Sequence, residues 1–279
     1  MDDSFEDFGL TVNSSNNNNN NKVWVGAREK LMTSGSGVRR LLQVGLDQWL
    51  DDKEAKPFSN VARIIFIVPG NPGEIFFYKY FMERLHQELG LPVIGVSHSG
   101  LSRRCQRLTS GPLTVRKLVD DGIEFIEEYI PESVEIILIG HSIGSFIAKE
   151  IMQVSEKRER FVHGVLTCPA LESLRRTPGG CVVRVLHYFP FLLYIWVSLL
   201  WLFPDRYNRM LFTTVLDLLF DHTECTVSAF MELIHVPSVR NAIILAEDEF
   251  NQVLCLKSLI TISPTKLPLL GARSRQEIH

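Results

Sequence analysis

The sequence predicts an α/β fold, a mostly parallel sheet with helices on both faces. Three observations point there. Short continuous apolar runs recur, Gly or Pro stops several of them, and a stretch with helical apolar spacing follows each of the first three. Runs of that kind are strands buried on both faces, and parallel neighbours need a long crossover that a helix supplies.

In chain order, residues 1–22 are acidic and then low in complexity, ending in the run Asn16 to Asn21. Such a tract buries too little apolar surface to offset its ordering entropy, so a disordered tail is expected. Within 22–60, the segments 23–25 and 41–44 predict a β-hairpin or a pair of edge strands. Ile64-Ile65-Phe66-Ile67-Val68 is the first buried strand, stopped by Pro69-Gly70-Asn71-Pro72-Gly73. A helix is expected over 76–89, with apolar residues at Phe77, Tyr80, Phe81, Leu85 and Leu89. Strands at 92–96, 134–139 and 161–166 then alternate with helices at 113–129 and 143–154.

After Pro178-Gly179-Gly180 the organisation changes. Between Tyr188 and Phe203 only Pro190 and Ser198 fall outside the hydrophobic set. Residues 205–250 read as mostly helical, 256–262 as one more strand, and 264–279 as a polar end. The expected organisation is a tail (1–22), a core (23–178), a hydrophobic helical insert (179–250) and an atypical end of the core (251–279).

Composition bounds the function. With 279 residues, 46% hydrophobic and 22% charged, the chain can bury a sizeable core in one large domain or two small ones. A net charge of −3 argues against a nucleic-acid partner, which calls for a basic surplus. The five cysteines are widely and irregularly spaced with no C-x-x-C pair, so neither a zinc site nor a disulfide framework is expected. No metal or cofactor is predicted. The N-terminus lacks the basic-then-apolar pattern of a secretory signal, and a reducing, cytosol-facing location is expected.

Gly140-His141-Ser142-Ile143-Gly144 reads G-x-S-x-G between a strand and a helix, the setting in which that pattern makes a nucleophile elbow. A sharp strand-to-helix turn crowds its central residue, and Gly140 and Gly144 relieve the crowding. The Ser142 hydroxyl then stands at a helix N-terminus, where developing negative charge is favoured. Acyl transfer also needs two N–H donors aimed at the oxyanion. The Ile143 amide is one candidate. The other should come from the loop after an earlier strand, where Pro69 and Pro72 have no N–H and Asn71 follows the Gly70 turn. The Asn71 amide is therefore the second candidate, with Gly70 and Gly73 shaping the loop. The alternatives are a tight structural turn with an incidental serine and a merely rigid double turn at 69–73.

The motifs PGNPG (69–73), SHSG (97–100) and GHSIGS (140–145) together resemble the lipid droplet-associated hydrolases, a branch of the α/β-hydrolase superfamily. The resemblance runs from about residue 63 to 248 and takes in the aromatic run, which looks like that family's membrane-associating insert. It implies an α/β-hydrolase fold. It also implies a serine ester hydrolase on lipid droplets and the cytosolic face of the endoplasmic reticulum, acting in lipid storage on sterol or other lipid esters.

In this fold the catalytic order is Ser, then an acid, then His. The family's acid follows a late strand in a pattern like G-T-x-D. Here the matching segment 259–263 continues Pro264-Thr265-Lys266, no carboxylate follows until Glu277, and the one later histidine is His279. Asp205, Asp217, Asp221, Asp248, His163, His187, His222 and His235 lie downstream of the serine but read as surface or packing residues. His98 lies on the correct sheet edge yet precedes the nucleophile, and His141 is expected to point away. The expectation is a C-terminally truncated or variant form that keeps nucleophile and oxyanion hole without an operative triad. The alternative function is a weak or inactive lipid-droplet-binding protein of the same fold.

As a helix, 188–203 would extend about 24 Å against a bilayer core of about 30 Å. Three readings stay open: a span helped by its flanks, a buried core helix, or an interfacial helix or hairpin on a droplet monolayer. A buried run would suit a soluble small-molecule esterase. Trp196, Trp201, Tyr188 and Tyr194 suit an interface, and Arg184, Arg206 and Arg209 flank the run. The groups Arg103-Arg104-Cys105-Gln106-Arg107 and Lys157, Arg158, Arg160 read as solvated loops.

Overall fold

The computed structural model describes residues 25–256 apart from 53, 55, 109, 168–187 and 220–222. Expectations placed on 1–22 and on 257–279 lie outside the described residues, as do Arg184, His187, Asp221, His222 and His279.

Strands β1 (Arg28–Ser34) and β2 (Gly37–Val44) form the expected hairpin, a few residues later than the first apolar segment suggests. Then follow β3 (Arg63–Val68), a 3-10 turn (Ile75–Tyr78), α1 (Lys79–Leu89), β4 (Val93–Val96), α2 (Val115–Tyr129), β5 (Glu135–His141), α3 (Ile143–Val154) and β6 (Phe161–Thr167). The sheet order is β1-β2-β4-β3-β5-β6. β2 runs antiparallel to β4, while β4, β3, β5 and β6 are mutually parallel.

Side-chain alternation explains the layers. Ile64, Phe66 and Val68 of β3 point into one core with Leu118, Phe125, Ile147 and Ile151 of α2 and α3. Ile65 and Ile67 point the other way, to Ile75 and to Met82 of α1. Local signals set the helix ends: the Thr114 hydroxyl accepts the Lys117 amide at 3.2 Å to begin α2, and Gly90 ends α1 at φ 68°.

This layering fixes the site. β3 and β5 are hydrogen-bonded neighbours, but the helices that follow them, α1 and α3, pack on opposite faces. The loops leaving the two strands part, and a crevice opens between them at the carboxyl edge of the sheet.

Among the described residues, four helices follow: α4 (Pro190–Trp201), α5 (Asp205–Leu219), α6 (Glu224–Glu232) and α7 (Val236–Leu256). Val197, Leu200, Met231 and Ile234 form a small core among them, while Leu245 of α7 joins the main core. α7 continues to Leu256, so position 256 is helical and does not begin a strand.

The crevice floor leaves no room for side chains. A Cβ on Gly144 would stand 2.6 Å from the Pro69 carbonyl oxygen, which is backbone and cannot swing aside. Gly144→Ala is expected to lower unfolding free energy by about 2–3 kcal/mol in denaturant titration, by overpacking β3 against α3.

Candidate active site

Ser142 sits between β5 and α3 with φ 55° and ψ −124°. A non-glycine residue there costs about 1–3 kcal/mol, so its surroundings must hold it. They do. The Ser142 amide donates to the Thr167 carbonyl at 3.0 Å, and the Ser142 carbonyl accepts the Ser145 amide at 3.0 Å. The buried Ser145 hydroxyl lies 2.9 Å from the Gly140 carbonyl and 3.1 Å from that of Thr167. Ser145 is thus a fastener as well as a small residue. A Cβ on Gly140 would fall 2.5 Å from the Ser145 Cα, which accounts for the first glycine of the motif. Ile143 is the first residue of α3, where amides lack intrahelical acceptors.

The loop after β3 faces this turn. Gly73, at φ 78°, donates its amide to the Gly70 carbonyl. A Cβ on Gly70 would stand 3.0 Å from the Ser142 Cβ, so loop and elbow touch because Gly70 has no side chain. Asn71 follows, its peptide to Pro72 cis, and its carboxamide donates to the Ala242 carbonyl of α7 at 2.9 Å. Reciprocally, Asn241 of α7 donates to the Gly100 carbonyl at 2.8 Å. His141 Nδ1 lies 2.9 Å from the Tyr78 hydroxyl, so that nitrogen is engaged by Tyr78 and not by Ser142.

Sequence reasoning missed a buried ionic cluster beneath the loop. Arg40 of β2 reaches Glu74 at 3.2 Å, Glu29 at 3.2 Å and Glu232 of α6 at 3.0 Å. Burial opposes its charge, but Glu74, Glu29 and Glu232 outweigh burial and hold the guanidinium pKa above its usual value. Glu74 also accepts from the Ser97 hydroxyl at 3.0 Å and the Phe76 amide at 3.2 Å. Arg104 adds a contact to Glu232 at 3.0 Å, Arg103 reaches Asp205 at 3.3 Å, and Arg160 donates to the Ile130 carbonyl at 2.9 Å. Arg160 is buried, a correction to the solvated-loop reading there, while Arg103 and Arg104 pair with carboxylates from a partly exposed position.

No general base is brought to Ser142 among the described residues. His98 is buried and its Nε2 lies 3.1 Å from the Pro69 carbonyl, which can only accept, so that nitrogen carries the proton. Burial pushes its pKa down to about 4, a poor base. His163 is exposed on β6, and His235 bonds the Ser238 hydroxyl at 2.9 Å. Asp248 accepts the Val115 amide at 2.7 Å and so caps α2.

The insert carries an apolar face. Among the described residues no single helix is long and apolar enough to cross a membrane, and α4 has only 12 residues, about 18 Å. Val197 and Leu200 are buried, but Phe191, Leu192, Ile195 and Leu199 are exposed, with Trp196 at 50% and Trp201 at 67%. That overturns the buried-core reading of 188–203. The exposed stripe continues on α5 through Tyr207, Met210, Leu211, Val215 and Leu218, where the sequence predicts helix and no exposed apolar face. Arg209 is paired with Glu224 and Arg206 stacks on Tyr207, so neither flanking cation is as free as the sequence suggested.

A serine in a strained turn at the switch point of a mostly parallel sheet, faced by a glycine-proline loop, defines an α/β-hydrolase fold. The family model described as lipid-droplet associated hydrolase matches residues 61–268, and the chain belongs to this family. A lipid droplet-associated hydrolase from Mus musculus is 27% identical over 187 residues, 61% of this chain and 56% of the relative. One from Gallus gallus is 25% identical over 244 residues, 82% of this chain and 74% of the relative. The match thus spans about half the length of the mouse relative. The solved structure of the epoxide hydrolase CorEH superposes with a TM-score of 0.50 at 13% identity, covering 82% of this chain and 77% of that one, which bears on the fold alone.

His98 gives the site a pH signature. Its folded pKa of about 4 lies below the usual 6.5, so its contribution is complete above pH 6.5 and is lost as pH falls towards 4. Glu249, pushed up to about 7 by burial, acts with the opposite sign, complete below its usual 4.5 and lost as pH rises through 7. A difference measurement isolates His98. The stability of wild type minus His98→Gln, from denaturant titrations, is expected to shrink by about 3 kcal/mol between pH 7 and pH 4.

Proposed function

We propose that this protein is a serine carboxylic ester hydrolase working at a lipid surface. The backbone of Ser142 carries the reading: a strained turn held by Thr167 and Ser145 presents the hydroxyl at the N-terminus of α3. Ser142 Oγ attacks an ester carbonyl, and the Ile143 and Asn71 amides take the oxyanion. Gly140 and Gly144 allow the elbow, and Gly70 and Gly73 allow the loop to approach it. The names of the relatives favour a place on lipid droplets. Lipid esters as substrates, sterol esters among them, and the cytosolic face of the endoplasmic reticulum are carried by the motif resemblance of residues 69–73, 97–100 and 140–145. The core is taken as 23–178 and the insert as 179–250. The exposed stripe of α4 and α5 supports attachment to one leaflet, because Trp and Tyr at its ends suit an interface.

A second reading is favoured by one observation: no imidazole among the described residues bonds Ser142. Under it, the same fold binds lipid surfaces without hydrolysing esters. Labelling of folded protein with a fluorophosphonate probe separates the two. Attachment mapped to Ser142 and abolished in Ser142→Ala is the expected outcome, whereas unlabelled protein that still floats with droplets establishes the second reading.

Attachment is tested separately. Burying Ile195, Trp196 and Leu199 in lipid is worth about 2 kcal/mol each. Trp196→Asp with Leu199→Asp is expected to move the protein from the floating droplet layer to the aqueous fraction. Unchanged flotation would assign attachment to another surface.

A further inference from the structure

We propose that Tyr78 is a positioning residue for Ser142, its hydroxyl fastening the loop that carries Asn71 to the elbow that carries Ile143. The proposal rests on the serine-hydrolase reading of this site. Its geometric basis is a bridge across the crevice. The Tyr78 oxygen accepts the Gly70 amide at 3.1 Å and lies 2.9 Å from His141 Nδ1. An amide can only donate, so the phenolic proton is left for His141. Burial lowers the His141 pKa, which favours the neutral ring, and a phenolic donor at Nδ1 calls for the tautomer with its proton on Nε2. The chain from Gly70 N–H through Tyr78 O–H to His141 Nδ1 therefore runs in one direction, each link polarising the next.

The sheet cannot do this job. The β3–β5 ladder ends at the pair Val68 and Gly140, and beyond it the two chains leave towards opposite faces. Asn71 and Ile143 lie past that last pair, where strand register no longer fixes their separation. Tyr78 is suited to do so because its own base is stiff. The turn Ile75–Tyr78 starts at Glu74, held by Arg40, and the Ile75 amide donates to the Ser97 hydroxyl at 3.0 Å. The Tyr78 and His141 rings also meet edge to face at 5.8 Å, so removing only the hydroxyl leaves the packing in place.

The test uses the full chain and four variants: Tyr78→Phe, His141→Leu, His141→Gln and the double Tyr78→Phe/His141→Leu. The first readout is the saturation kinetics of fluorophosphonate labelling at Ser142. A loosened oxyanion donor is worth about 10–100-fold, so Tyr78→Phe and His141→Leu are each expected to lower the maximal labelling rate by about that factor while half-saturation stays unchanged. The double variant should be no slower than the slower single one, and His141→Gln, which keeps an acceptor, should be faster than His141→Leu. Wild-type rates in Tyr78→Phe, or a double variant that loses the product of both factors, would overturn the proposal. Thermal unfolding checks each variant, and His141→Leu, at a partly buried position, serves if Tyr78→Phe does not fold.

A second readout is independent of reactivity. Hydrogen exchange at the Gly70 amide should accelerate in Tyr78→Phe. Should wild-type protein leave Ser142 unlabelled, the hydrolase reading fails, and with it the catalytic part of the proposal. The bridge itself is then judged by exchange: acceleration supports it, and unchanged exchange overturns it as well.

Discussion

Three backbone segments meet with no side chain between them: the end of β3, the end of β5 and the start of α3. Gly70, Gly140 and Gly144 permit the approach, and a methyl group at any of them would strike backbone or the Ser142 side chain. This closeness forces Ser142 into its positive-φ conformation and makes the serine protrude. Ser145 and Thr167 then use their hydroxyls on the Gly140 carbonyl, at 2.9 and 2.8 Å, which hold the turn against its own strain. Elsewhere the core is ordinary alternation of apolar residues on two sheet faces. Here the packing stores a conformation that water-exposed chain would not keep.

The insert is bound into the same region by charge as well as by apolar contact. Arg40, Glu74 and Glu232 are all buried, and a buried cation without its carboxylates would be strongly destabilising, so the hairpin, the loop after β3 and α6 have to stay together. The apolar outer faces of α4 and α5 are thereby carried by a body anchored to the loop after β3. The proposed lipid contact and the proposed ester chemistry share one frame.

Much of this was legible in the sequence, for identifiable reasons. Continuous apolar runs located β3, β4 and β5, because strands buried in the sheet interior leave little polar alternation to confuse the reading. β6 was found although His163 and Gly164 interrupt its run and none of its residues is fully buried. The elbow was legible because its glycines answer to local backbone crowding, and α3 starts and ends where the spacing predicts. Arg40, Tyr78 and the carboxamide of Asn71 were not, since each acts on partners 34, 63 and 171 positions away, and no local pattern encodes such pairing. The stripe on α5 escaped for another reason. Its apolar residues have ordinary helical spacing, and spacing alone does not say whether a face looks inward or outward.

The seam between insert and core has one more property. Asn71 reaches across it to a main-chain carbonyl at Ala242, and Asn241 reaches back to a main-chain carbonyl at Gly100. Each bond reads backbone on the far side, so the identity of residue 242 does not enter it. Helices with quite different outward-facing residues could be grafted onto this core, provided the two asparagines, Glu232, Leu245, Asp248 and the path of α7 are kept. The fold thereby separates what docks the insert from what the insert shows to its surroundings, and the second is free to diverge while the first stands still.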